Sequence, residues 1–302
     1  MIMAHLAIPK TYKLFIGGKF PRSESGRTYQ AVDAEGGFMA NAALASRKDA
    51  RDAVVAARKG LAAWAGATPY NRGQVIYRAA EMLEGRAREF TKLITASRGV
   101  TSRVSASEVE SSIDRLVHYA GWTDKLAAAF GSSNPVSGPF FSYSAPEPTG
   151  VVVIFAPRDS PLLGLVSVVA PVLAGGNTAV VVASEPDPCV AISFAEVLAT
   201  SDLPGGAVNI LTGKAAELGP HLAAHADVNA LDLTGVTDHP DDHDLRTELE
   251  RSAAQTLKRV YVPAGTPDFA APPGTGRLRA FLETKTVWHP TGAVSLAGGS
   301  AY

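Results

Sequence analysis

Residues 150–187 read GVVVIFAPRDSPLLGLVSVVAPVLAGGNTAVVVASEPD. Val151–Phe155 and Thr178–Val182 are almost unbroken runs of β-branched and aromatic residues, each too short for a helix of ordinary length. The apolar stretch opened by Leu162 lies between them. A strand with no polar alternation is covered on both faces, so this block predicts parallel strands with helices packed on either side. The same rhythm continues through a helix from Ala191, the strand AVNIL (207–211), a helix from Ala215 and the strand ALDL (230–233). A helix over Leu245–Ala254 and a strand over Leu257–Val262 complete a Rossmann-like α/β sheet.

Upstream, KLFIGGKF (13–20) centres apolar residues on a Gly-Gly pair and predicts a short hairpin. Ser46 followed by Asp49 fits a capping box. Ala53, Val54, Ala57, Leu61 and Trp64 then carry helical spacing, and Val75, Ile76, Ala79, Ala80 and Leu83 repeat it beyond Pro69. Helical pattern from Glu108 to Phe130 ends in the turn-rich GSSNPVSGP (131–139), and Phe140–Ser144 alternates as an exposed strand does. Pro263–Gly276 is rich in Pro and Gly and reads as a linker to a strand over Phe281–Trp288. The pairs Gly175-Gly176 and Gly205-Gly206 fall between helix and strand, where turn geometry accounts for them.

The 302 residues carry 46% hydrophobic side chains and a formal charge of −1, enough apolar mass for a large core and no basic stripe for nucleic acid. The most apolar stretch, Leu162–Ala174, is shorter than the roughly 20 residues that span a bilayer. These features predict a cytoplasmic protein without membrane or nucleic-acid partners. Cys189 is the single cysteine and excludes an internal disulfide. Its place at a helix start favours a small packed side chain over a reactive one. His239 and His243, four apart among Asp238, Asp241, Asp242 and Asp244, suggest a metal pair; solvated acids at a helix start explain the pattern more simply, and no metal is expected.

The blocks EPTGVVVIFAP (147–157), PVLAGGNTAVVVASEPDP (171–188), LPGGAVNILTG (203–213) and LTGVT (233–237) resemble, in order, the coenzyme-binding region of the aldehyde dehydrogenase superfamily. The N-terminal helices and the tail ETKTVW (283–288) are similar to that family too. The resemblance implies a coenzyme-binding domain over 1–262, with strand 140–147 contributing to an oligomerisation element, a linker at 263–280 and an oligomerisation strand in 281–302. Only 17 residues (266–282) stand where the family places its catalytic domain. The chain is in this respect similar to the shortened, inactive second half of family-sixteen members.

The resemblance also implies where the chemistry would lie. The family's oxyanion-holding Asn falls on Asp159, its general-base Glu falls on Pro263, and its nucleophilic Cys would lie in the absent domain; the expectation is no catalytic residue and a chain that is not an enzyme on its own. A local Arg158–Asp159 ion pair is expected instead. Of the adenosine-ribose contacts, Val182 replaces a Lys, whereas Ser184 and Glu185 remain. At the pyrophosphate turn, Thr234 and Gly235 remain, while Val236 and Pro240 depart from the pattern. Glu185, Thr234 and Gly235 are therefore remnant cofactor-binding candidates, the cofactor expectation being none, with weak NAD or NADP binding as the alternative. The expected role is an assembly or regulatory subunit docked on a full-length aldehyde dehydrogenase subunit through the tail strand, or a homodimer. The alternative is a nucleotide or metabolite sensor.

Overall fold

The computed structural model describes residues 10–237 and 243–291. Three short strands come first among the described residues: β1 (Thr11–Tyr12), then β2 (Thr28–Val32) with β3 (Phe38–Ala43), forming a sheet of order β1-β3-β2. Between β1 and β2, Gly17 and Gly18 take φ of 60° and 78°, and Ile16 bridges to Lys19. Consecutive positive φ values define the tight hairpin turn that a Gly-Gly pair permits.

Four helices follow: α1 (Arg47–Gly66), α2 (Pro69–Gly85), α3 (Ala87–Arg98) and α4 (Ser102–Ala120). The α1 start is the expected capping box, with the Ser46 side chain accepting from the Asp49 amide and Asp49 accepting from the Ser46 amide. The helical pattern read from Glu108 to Phe130 is broken after Ala120, and only α5 (Leu126–Phe130) resumes. At the α3 end, Gly99 adopts the left-handed conformation with φ 65°, the stop signal for a helix that the apolar spacing alone did not disclose.

Next come β4 (Ser132–Asn134), β5 (Phe140–Pro148), β6 (Val151–Phe155), α6 (Leu163–Ala174), β7 (Thr178–Val182), α7 (Pro188–Ala199), β8 (Val208–Leu211), α8 (Ala215–Ala224), β9 (Ala230–Asp232), α9 (Thr234–Thr237), α10 (His243–Ala254) and β10 (Arg259–Tyr261). Strands β10-β9-β6-β7-β8 form one all-parallel sheet. Its two faces bury different residues: Val152, Ile154, Ala179 and Val181 belong to a core shared with α2, α4, α6 and α7. Val151, Val153, Phe155, Val180 and Val182 join a second core with α1, α8 and α10. Every residue of α6 is buried, so the run read as too short for a membrane is a central core helix. No helix among the described residues is long and apolar enough to cross a membrane.

The last elements among the described residues are α11 (Gly276–Ala280) and β11 (Leu282–Pro290). Strand β11 pairs antiparallel with β5 over its whole length, from Leu282 opposite Pro148 to Pro290 opposite Phe140, in a sheet of order β11-β5-β4. Strand β5 thus satisfies the inner edge of β11, and its outer edge is open among the described residues. Asn177 ties this sheet to the parallel one. Its Oδ1 accepts from the Gly150 amide at 2.8 Å, and its Nδ2 donates to the Phe281 carbonyl at 2.9 Å.

Candidate functional site

Strands β6, β7 and β8 advance in one direction across the sheet, and β9 returns to the other side of β6. Helices leaving β6 and β9 therefore diverge and open a crevice beyond the carboxyl ends of those strands, where ligands of open parallel sheets bind. The position follows from strand order alone.

Gly235 sits in that crevice, in the first turn of α9. A Cβ there would fall 2.0 Å from the Ala156 carbonyl oxygen, so only glycine lets α9 lie directly against the end of β6. Thr234 is buried, and both its amide (3.0 Å) and its hydroxyl donate to Oδ1 of the fully buried Asp232. Arg277, from α11, donates to Asp232 Oδ2 at 2.5 Å and to Thr234 Oγ1 at 2.9 Å, and stacks on the Tyr261 ring at 4.5 Å. Burial pushes the Asp232 carboxyl upward in pKa, and Arg277 and Thr234 pull it back.

Glu185 follows β7 at the neighbouring strand end. Tyr29 donates from its hydroxyl to the Glu185 carbonyl at 3.2 Å, whereas the partly exposed Glu185 carboxylate makes no hydrogen bond among the described residues. Ser184 is buried and donates to Asp187 Oδ2 at 3.5 Å, and Val182 is buried in the sheet. The structure thus brings Thr234 and Gly235 together and places Glu185 one strand beyond β6, at the end of β7.

Asp159 is 80% exposed and lies 3.5 Å from Arg98, which also reaches the buried Asp187 at 3.3 Å. This differs from the adjacent Arg158–Asp159 pairing expected above: α3 supplies the cation across the fold, a contact no local spacing reveals. Asp159 and Glu108 line a cavity of about 710 Å³ closed on one side by residues 266–270. Glu108 Oε1 accepts from Ser160 Oγ and from the Leu162 and Leu163 amides at 3.0–3.2 Å, capping the start of α6 from another helix. Pro263 lies just past β10 and is partly exposed.

Cys189 is 3% exposed in the first turn of α7, and burial together with Asp187 pushes its thiol up to about 11. That environment favours the neutral thiol at neutral pH. The His239 and His243 metal pair falls outside the described side chains.

The family model described as "Aldehyde dehydrogenase family" matches residues 21–268. DhaS of Bacillus subtilis (strain 168), an aldehyde dehydrogenase relative, is 31% identical over 259 residues, covering 84% of this chain and 50% of that protein. An NAD+ complex of aldehyde dehydrogenase from Bacillus cereus superposes with a TM-score of 0.76 at 26% identity, covering 83% of this chain and 50% of that one. HpcC from Thermus thermophilus gives 0.76 at 29% identity, covering 83% and 47%. The chain therefore spans about half the length of the relatives it matches.

These likenesses overturn two expectations. The reading of the chain as not an enzyme rested on the replacements at Asp159 and Pro263 and on the missing segment that carries the family's nucleophilic Cys, and the reading of no cofactor on replacements such as Val182 and Val236. The matching proteins are named aldehyde dehydrogenases, and the B. cereus structure is an NAD+ complex. For the cofactor, the physical reason is that a crevice at a reversal of strand order is made by the backbone, and does not disappear when individual side chains around it change. The chain belongs to the aldehyde dehydrogenase family.

Proposed function

We propose that this chain is the NAD(P)-binding and assembly component of an aldehyde-oxidising complex. The observation that carries the reading is the crevice at the reversal of strand order, where Gly235 admits no side chain between α9 and β6 and the Glu185 carboxylate stands without a hydrogen-bond partner among the described residues. Those residues fit a dinucleotide. Glu185 accepts hydrogen bonds from a ribose, and the bare backbone at Gly235 lets the phosphates approach closely. The bound nicotinamide would supply the hydride acceptor. Thr234 is fixed in place by Asp232 and Arg277, so the turn that meets the phosphates is preorganised.

The assembly half of the reading rests on β11. Its open outer edge offers main-chain donors and acceptors to another sheet, and a full-length aldehyde dehydrogenase subunit is the partner proposed to take it. Calorimetric titration of the purified chain with NAD and NADP tests the coenzyme half; absence of heat at millimolar nucleotide sinks it. Co-expression with a full-length aldehyde dehydrogenase followed by size-exclusion chromatography tests the other half. Co-elution supports it, whereas separate elution, with this chain running as a self-dimer, rejects it.

A further inference from the structure

Arg115, on α4, is 8% exposed, and its hydrogen bonds reach only neutral acceptors: Nη1 donates to Ser167 Oγ at 2.7 Å, and Nη2 to the carbonyls of Phe269 at 2.7 Å and Ala271 at 3.0 Å. No carboxylate lies within ion-pair distance of it among the described residues. Burial lowers its pKa, and the Tyr119 phenol, not a carboxylate, is the group that opposes the shift. A guanidinium has five N–H donors, so this one retains unmatched donors as well as an unmatched charge. Buried charges are ordinarily paired.

A cavity of about 280 Å³ lies beside it, beneath residues 267–276, bounded also by Tyr119, Ser167, Tyr261 and Arg277. Tyr119 is 1% exposed, and its hydroxyl makes no hydrogen bond among the described residues. Burial raises its pKa while Arg115 and Arg277 both lower it, so the phenol stands within the field of both guanidiniums. Arg277 is already matched by Asp232. Asp268 also lines the cavity, and its Oδ1 accepts from the Ala270 and Ala271 amides at 2.9 and 3.3 Å. The surplus positive charge is therefore small, which suits a singly charged ligand better than a phosphate dianion. Pro267 and Phe269 give the same cavity an apolar wall.

We propose that this cavity is a binding site for a small organic carboxylate, held by Arg115 and the Tyr119 hydroxyl with its apolar body against Pro267 and Phe269. The fork of donors on Arg115 matches a carboxylate geometrically. The site adjoins the proposed coenzyme crevice through Arg277 but is built on Arg115 and Tyr119, and it goes beyond the function proposed above.

The test titrates the full chain with benzoate, benzyl alcohol and inorganic phosphate by calorimetry, for the wild type and for Tyr119→Phe. Benzoate is expected to bind and benzyl alcohol is not. Tyr119→Phe removes only the unpartnered hydroxyl, so the unliganded unfolding midpoint stays put while benzoate binding weakens about tenfold, the effect of one lost hydrogen bond to a charged group. No benzoate heat at millimolar concentration, equal affinity in Tyr119→Phe, or preference for phosphate over benzoate would each overturn the proposal. A parallel NAD titration keeps the two readings apart, since benzoate binding stands whether or not nucleotide binds.

Discussion

At the scale of the residue, Cys189 and Gly235 show how the same sequence position acquires opposite chemical weight once packing is known. Cys189 was legible as a packed thiol from its place at a helix start; the cause of its inertness, burial beside Asp187, depends on the fold. Its pKa rises from 9.0 to about 11 on folding, so the protonated thiol favours the native state below pH 9, and that contribution is lost as pH climbs toward 11. Wild type is expected to lose about 2–3 kcal/mol more than Cys189→Ala between those limits, as read by urea unfolding at each pH. The resemblance marked Gly235 as a remnant cofactor-binding candidate, and its close approach to Ala156 gives it a packing role. Gly235→Ala should destabilise the chain by about 1–3 kcal/mol, the range for overpacking, and weaken NAD binding; an unchanged melting midpoint would contradict the geometry. On the proposed coenzyme reading, the Glu185 carboxylate would accept from a ribose and repel a 2′-phosphate, so Glu185→Ser is expected to shift the ratio of NAD to NADP affinities toward NADP.

Elements tell a different story from residues, because segment 263–280 has no periodicity to read. Pro and Gly mark it as irregular, but nothing local announces that Arg115 reaches across from α4 to hold the Phe269 and Ala271 carbonyls, or that Arg277 pairs with Asp232. Leu278 near the end of the segment and Phe281 just after it are each 1% exposed, so the segment closes into the core. Removing one member of a buried ion pair leaves the other charge unmatched, at a cost of about 3–5 kcal/mol. Asp232→Ala is therefore expected to lower stability by that order and to open residues 263–276 to limited proteolysis, with cleavage mapped by mass spectrometry. For β11, Trp288 is 55% exposed and packs on Phe140 at 5.9 Å, on the sheet proposed for assembly. Trp288→Asp should abolish co-elution with a full-length aldehyde dehydrogenase while changing stability by no more than about 0.5 kcal/mol.

For the whole molecule, a ligand that binds only the folded chain raises its stability by mass action. NAD at a hundred times its dissociation constant is expected to add about 2.7 kcal/mol, seen as a rise in unfolding midpoint that benzyl alcohol does not produce. By itself the sequence determined the parallel sheet, its helices, the capping box at Ser46 and the Gly-Gly turns, because each is written in residues near one another: unbroken Val and Ile runs, helical spacing, and glycines where φ must be positive. Tertiary structure alone decided that β5 receives β11, that Glu108 caps α6, that Asp159 meets Arg98, and that Arg115, Tyr119 and Arg277 surround one cavity. Those contacts join residues tens to well over a hundred positions apart, and long-range pairing of charges and strand edges is fixed by packing geometry, which no short window of sequence contains.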